Sequence, residues 1–280
     1  MYRMGMAGLL AAVAAIALSS APKIAISYDS GSSWLASPER AALDQKDWAW
    51  KGQVARGKAI EIKGVNGEIH AERSQGNEVE VRVVLSGKKS DPNTVKMEVV
   101  EHEDGVTICA VYPSKDNRPN ECRPGGKGRM NVKDNDVQVN FNVRVPAGVN
   151  FGGRTVNGEV GIRGIDGDVL AETVNGDIDI SASGLAEATT VNGSITVSMG
   201  RADWRGTLDF TTVNGSVMLE MPADLNCDVS VSTVNGHISS DFPLTVEGRF
   251  SPRHLKGTIG DGGRTLVIKT VNGSVQIRRS

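Results

Sequence analysis

The chain has 280 residues, a length suited to one large or two ordinary domains. Its 31 basic and 33 acidic side chains nearly cancel, and aromatic residues make up only 4%. Neither the positive field nor the stacking platforms of a nucleic-acid-binding protein are therefore present.

The N-terminus reads as an export signal. Arg3 is a short basic start, Met4 to Ala21 is apolar, and the small residues Ser19, Ser20 and Ala21 precede Pro22. The alternative is an uncleaved anchor, because this stretch is just long enough to span a bilayer. There is no cysteine near its end to carry a lipid. The expected location is exported, in the periplasm or at the cell surface. Residues 22–47 are polar and read as a linker. Trp48 and Trp50 open an N-terminal β region over 48–150. Its alternating runs lie at 59–63, 68–72, 78–85, 95–102 and 106–112, followed by a loop over 113–136 and a further run from Val137 to Val145. Cys109 ends one run and Cys122 closes the polar part of the loop. A bridge between them is expected to tie the loop down, worth about 3 kcal/mol for a loop of this size. Cys227 falls at an inward position of an alternating strand and is expected to be a buried free thiol.

Residues 151–280 are dominated by a repeat. Val-Asn-Gly occurs at 65–67, 156–158, 174–176, 191–193, 213–215, 234–236 and 271–273, and Thr precedes six of the seven copies. The second position after each Gly is β-branched throughout: Ile69, Val160, Ile178, Ile195, Val217, Ile238 and Val275. Two residues further, the position is mostly apolar, which is strand periodicity with one face buried. The Val before each Asn and these Ile or Val columns are expected to set the core. Asn-Gly is expected to supply a tight turn through positive φ. From Asn157 the steps between successive Asn residues are 18, 17, 22, 21 and 37. A degenerate copy at Ile165-Asp-Gly-Asp-Val169 falls midway through the first step. A coil of about twenty residues with a turn at each side fits a flattened β-solenoid, each coil about 4.8 Å above the last. Insertions at 198–207 and 241–257 map to the opposite edge. Pro146-Ala-Gly-Val-Asn150 recurs as Pro222-Ala-Asp-Leu-Asn226 ahead of a corner. The reading is all-β: a short N-terminal β region running into a solenoid of about six coils by repeat count.

The Thr-Val-Asn-Gly-Ser-Ile/Val array, the Pro-Ala lead-in and the ending Gly257-Thr-Ile-Gly…Lys-Thr-Val-Asn-Gly-Ser-Val resemble the exported β-strand-repeat proteins of domain-of-unknown-function family 4097, candidate adhesins. The resemblance covers residues 48–280. It implies a β-solenoid envelope protein with no established catalytic residues.

The Asn column (Asn157, Asn175, Asn192, Asn214, Asn235 and Asn272) reads as a structural ladder of stacked amides, with glycan binding as the competing role. Asp166, Asp168, Asp177 and Asp179 read as a solvated face rather than a Ca²⁺ site, since the calcium-roll nonapeptide is absent. The four histidines (70, 102, 237 and 254) are scattered, and nucleophile, zinc-protease and phosphate-loop motifs are missing. No catalytic residue, metal or cofactor is expected. Arg249, Arg253, His254, Lys256 and Arg264 gather around the second insertion, either as a patch for an anionic polymer or lipid headgroup or as ordinary solvated charge. Trp204 is either an exposed contact or an end plug. Expected partners are envelope polysaccharide, lipid headgroups or another envelope protein. The expected function is adhesion or scaffolding without catalysis. Envelope-stress or ligand sensing through loops 113–136 and 241–257 is the alternative, and a polysaccharide-active enzyme stands third.

Overall fold

The computed structural model describes residues 44–116, 118–126, 128–246 and 253–280. The expected export signal and most of the expected linker lie outside these residues. The strands run in chain order as β1 (Asp44–Gly52), β2 (Ala59–Lys63), β3 (Ile69–Arg73), β4 (Val79–Gly87), β5 (Lys96–His102), β6 (Gly105–Val111) and β7 (Gln138–Val145). Then follow β8 (Asn150–Arg154), β9 (Val160–Ile165), β10 (Val169–Glu172), β11 (Ile178–Ala182), β12 (Ala186–Thr189), β13 (Ile195–Met199) and β14 (Thr207–Thr211). The last are β15 (Val217–Met221), β16 (Cys227–Ser232), β17 (Ile238–Ser240), β18 (Thr245–Val246), β19 (His254–Ile259), β20 (Thr265–Lys269) and β21 (Val275–Arg279). Among the described residues the only helix is a 3₁₀ turn, Pro92–Thr94.

The strands form two sheets. One runs β1-β4-β7-β3-β9-β11-β13-β15-β21-β17, the other β18-β19-β16-β20-β14-β12-β10-β8-β2-β6-β5. Each central coil gives one strand to each sheet, and like strands stack in parallel register: Ile178 meets Val160 on one side and Ile195 on the other. The inward faces meet in one core of Val, Ile, Leu and Phe, so every coil buries its apolar face only because its neighbours do the same. Antiparallel strands finish both ends, β1 on β4 and β5 on β6 at one, β19 on β16 and β18 on β19 at the other. The break expected near residue 150 falls inside this continuous pair of sheets. β2 and β3 flank the first Val-Asn-Gly corner and pair with β8 and β9 as any two coils do. Asp44 to Asp47, expected in the linker, open β1.

Spatial order departs from chain order in two places. β7 packs outside β3, and the chain's last coil, β20 and β21, lies between the coil of β14 and β15 and that of β16 and β17. The 37-residue step between Asn235 and Asn272 therefore joins adjacent corners. Its intervening chain forms the β18–β19 cap before returning into the stack.

The Thr-Val-Asn-Gly corner always carries the chain from the second sheet to the first. It is not a positive-φ turn at Asn: among the described residues the only non-glycine with positive φ is Asp134. The Asn residues instead form parallel bridges with one another. Glycine is required by close approach. A Cβ on Gly193 would sit 1.9 Å from the carbonyl oxygen of Gly176, and one on Gly215 would sit 1.9 Å from that of Gly193. The Val before Asn is not core. Val191 is 38% exposed, because the corner turns it outward and the preceding Thr inward. Each buried Thr donates its hydroxyl to the neighbouring coil's glycine carbonyl: Thr173 to Gly158 at 2.9 Å, Thr190 to Gly176 at 3.0 Å and Thr212 to Gly193 at 2.8 Å. The repeated Pro lead-in is also explained. Val149 N–H donates to Pro146 O and Leu225 N–H to Pro222 O, and each lead-in Asn side chain accepts from a later backbone N–H.

Candidate functional site

The outward side chains of the second sheet follow from the corner. The residue immediately before each Thr points out, as does the one two positions earlier, because strand residues alternate. Pairing then lays out a row in which Glu61 on β2 stands beside Gly152 on β8, Gly152 beside Leu170 on β10, and Leu170 beside Glu187 on β12. The next row places Lys63 beside Arg154, and Arg154 beside Glu172.

Over this face lies a groove of about 610 Å³, lined from β2 through β8, β10 and β12 to β14. One wall is the loop Pro124–Gly126; the other is Trp204 and Arg205 in the first insertion. Glu61 fixes the first wall. Its carboxylate accepts from Thr107 Oγ1 at 3.0 Å, Gly125 N–H at 2.9 Å and Arg154 Nε at 3.0 Å. His102 Nε2 lies 3.0 Å from Thr107 Oγ1, and Lys63 Nζ donates to the carbonyls of Arg123 and Gly125. Burial holds the Lys63 ammonium below its ordinary range, with Arg154 adding to the depression. Arg154 bridges onward to Glu172. The disulfide Cys109–Cys122 anchors the same loop to β6. The second wall is fixed by Trp204, buried with its Nε1 donating to Thr265 O at 3.0 Å while its own carbonyl accepts from Arg264 Nε at 3.0 Å.

Between the walls stands Glu187, exposed and without a hydrogen-bonded partner among the described residues. Its carboxyl is held above the usual carboxylate range, first by desolvation and then by the charges of Asp209 and Glu172. A cation or a hydrogen-bond donor above it would find an acceptor that the protein itself does not use.

Apart from Asp168, which lines the groove, the other residues singled out in the sequence lie elsewhere. The Asn amides hydrogen-bond in a row along one edge. Asn157 donates to Asn66, Asn175 to Asn157, Asn192 to Asn175, Asn214 to Asn192, Asn272 to Asn214 and Asn235 to Asn272, all at 2.7–2.8 Å. Arg253, His254 and Lys256 are exposed at the β19 end, remote from the groove lining, and Arg249 lies outside the described residues. The four aspartates are dispersed. Asp166 pairs with Arg73 at 3.1 Å, Asp168 accepts from Leu185 N–H and Asp177 from Ser194 N–H. Among the described residues no group of three His, Cys, Asp or Glu side chains is placed to hold a metal ion. Cys227 is a buried free thiol pushed up to about 12 by burial. The groove residues Glu61, Arg154 and Glu187, and Glu172 beside Arg154, stand outside the residues the sequence singles out. Their signal is a pair of outward columns: the position before the corner, charged at Lys63, Arg154, Glu172 and Lys269, and the position two residues earlier, charged at Glu61, Glu187 and Asp209.

The family model of the Toastrack DUF4097 family matches residues 56–278, and the chain belongs to that family. No curated protein matches the sequence. Among solved structures, a candidate cell adhesion protein from Clostridium sporogenes is 11% identical, with a TM-score of 0.45 over 84% of this chain and 100% of that one. A candidate adhesin from Bacteroides fragilis is 12% identical, with a TM-score of 0.32 over 83% of this chain and 97% of that one. One from Parabacteroides merdae is 12% identical, with a TM-score of 0.23 over 83% and 96%. Among the described residues no helix is long and apolar enough to cross a membrane.

Proposed function

We propose that this Toastrack protein is an exported surface β-repeat protein that acts by binding, as an adhesin or scaffold, and not by catalysis. The groove over the second sheet carries this reading. Glu61 and Arg154 of its lining are spent on one another, on Glu172 beside them and on the loop backbone, so they build a wall. What remains toward a ligand is an apolar floor edged by further charged groups, Asp104, Arg205 and the unpartnered carboxylate of Glu187 among them, the composition of a recognition cleft. A ligand-sensing module is the second reading, favoured by the loop at 113–136, which forms one wall and is tied down by the disulfide. A polysaccharide-active enzyme is the third. Glu187 is the observation on its side, a carboxyl held above its usual range beside Asp209 and Glu172.

The test is a binding screen of the purified protein on glycan arrays, anionic vesicles and envelope extracts, alongside an assay for new reducing ends in envelope polysaccharides. Retention without turnover supports the binding reading. Turnover that disappears in Glu187→Gln replaces it with the enzymatic one. Fractionation of cells expressing the full chain tests export: recovery in the cytoplasm alone contradicts it.

A further inference from the structure

The groove spans five neighbouring strands, β2, β8, β10, β12 and β14. At about 4.8 Å per strand this is about 19 Å, the length of roughly six residues of extended chain. The row beneath it is graded. Glu61 is consumed by its wall, Gly152 leaves a depression where a side chain is missing, Leu170 offers a half-buried aliphatic surface, and Glu187 is an open acceptor, with Asp209 on β14 beyond it. Charge on the lining favours a cation. Four carboxylates face two guanidiniums, and one of those guanidiniums, Arg154, is already held by Glu61 and Glu172. The lining disfavours a sugar. Its two aromatic rings, Phe151 and Trp204, are buried at 2% and 3% exposure, so neither presents a face for the C–H side of a pyranose.

We propose that the groove binds an extended peptide segment, laying an aliphatic side chain over Gly152 and Leu170 and a lysine or arginine against Glu187. The inference rests on the reading of the protein as a binding module and names its ligand class. The groups facing Glu187 from the adjoining strands are Glu172 on β10 and Asp209 on β14, so a bound cation relieves a repulsion that the empty groove retains.

The experiment titrates the purified chain with an end-blocked, fluorescently labelled hexapeptide, Ala-Ala-Leu-Lys-Ala-Ala, and with the same peptide carrying norleucine for lysine. The expected result is saturable binding of the lysine peptide, weaker by about tenfold or more for the norleucine peptide and for Glu187→Gln. Binding should be lost in Leu170→Trp, which fills the floor, and kept in Glu220→Gln on the outward face of the first sheet. Equal affinity for both peptides overturns the basic-peptide assignment, while its loss in Leu170→Trp would leave the groove a binding site. Absence of binding by either peptide also overturns the assignment. A glycan hit that Leu170→Trp abolishes would then preserve the binding module with a different ligand.

Discussion

Asn235 donates from Nδ2 to Asn272 Oδ1 at 2.7 Å across 37 residues of chain, and Asn272 donates in turn to Asn214 Oδ1 at 2.7 Å. The Asn closest to the C-terminus is thus an interior rung, and Asn235 is the last one. Asn192→Ala and Asn272→Ala each lose two amide bonds. The expected cost is about 1–2 kcal/mol, held down by hydration of the exposed partners. Asn235→Ala loses one bond and should cost about half as much. Urea unfolding of the three variants checks the order; an Asn272→Ala cost below that of Asn235→Ala contradicts it.

The outward turn of the corner separates two aliphatic columns. Val191→Asp should be nearly silent, since the side chain already meets solvent. Ile195→Asp, fully buried in the next strand, should cost about 3–5 kcal/mol or prevent folding. Melting temperatures compare them directly, and equal values would reject the corner geometry.

Thr190 is 1% exposed and satisfies the Gly176 carbonyl. Thr190→Val keeps the shape and removes the donor, for an expected loss of about 1–3 kcal/mol. Thr190→Ser keeps the donor and gives up one methyl, for about 1 kcal/mol. A serine variant less stable than the valine variant would show that packing, and not the hydroxyl, holds the corner.

Glu187 links stability to pH. Below the ordinary carboxylate range it is protonated in folded and unfolded chains alike and contributes nothing. As pH rises the unfolded chain ionises first, so the fold loses stability until pH passes the raised folded value. Glu187→Gln should therefore be more stable than the parent near neutral pH and indistinguishable from it in acid. Denaturant midpoints across that range decide the matter. A variant less stable at neutral pH means that Glu187 has a stabilising partner.

Reduction of Cys109–Cys122 should lower stability by about 3 kcal/mol from loop entropy and free the Gly125 wall from Glu61. Cys227 should resist maleimide until global unfolding, because its thiol is buried and pushed up to about 12. Labelling of Cys227 at the rate of an exposed thiol in the native oxidised protein would contradict its placement.

The strands were legible because Ile178, Ile195 and Val217 recur at one phase of the repeat, and that phase is the core. The Val column misled because alternation was carried backward through the corner, where the backbone changes phase and exchanges Thr for Val on the inside. The groove was hidden for a different reason. Glu61 and Arg154 are 93 residues apart in sequence and meet only because the coil of β2 and β3 stacks directly on that of β8 and β9. The steps between Asn residues describe distance along the chain, and pairing in space does not follow from them.

The intercalated final coil gives the next-to-last one no complete seat without it. A polypeptide released from its N-terminus can stack β8 through β15 as each coil appears. β16 and β17 then arrive before the coil that separates them from β14 and β15, so their seats cannot be completed until Thr265 to Arg279 have followed. The last strands act as a keystone. A chain cut short by a few tens of residues loses its final coil and strands the preceding one as well, leaving open sheet edges of the kind that invite aggregation or proteolysis.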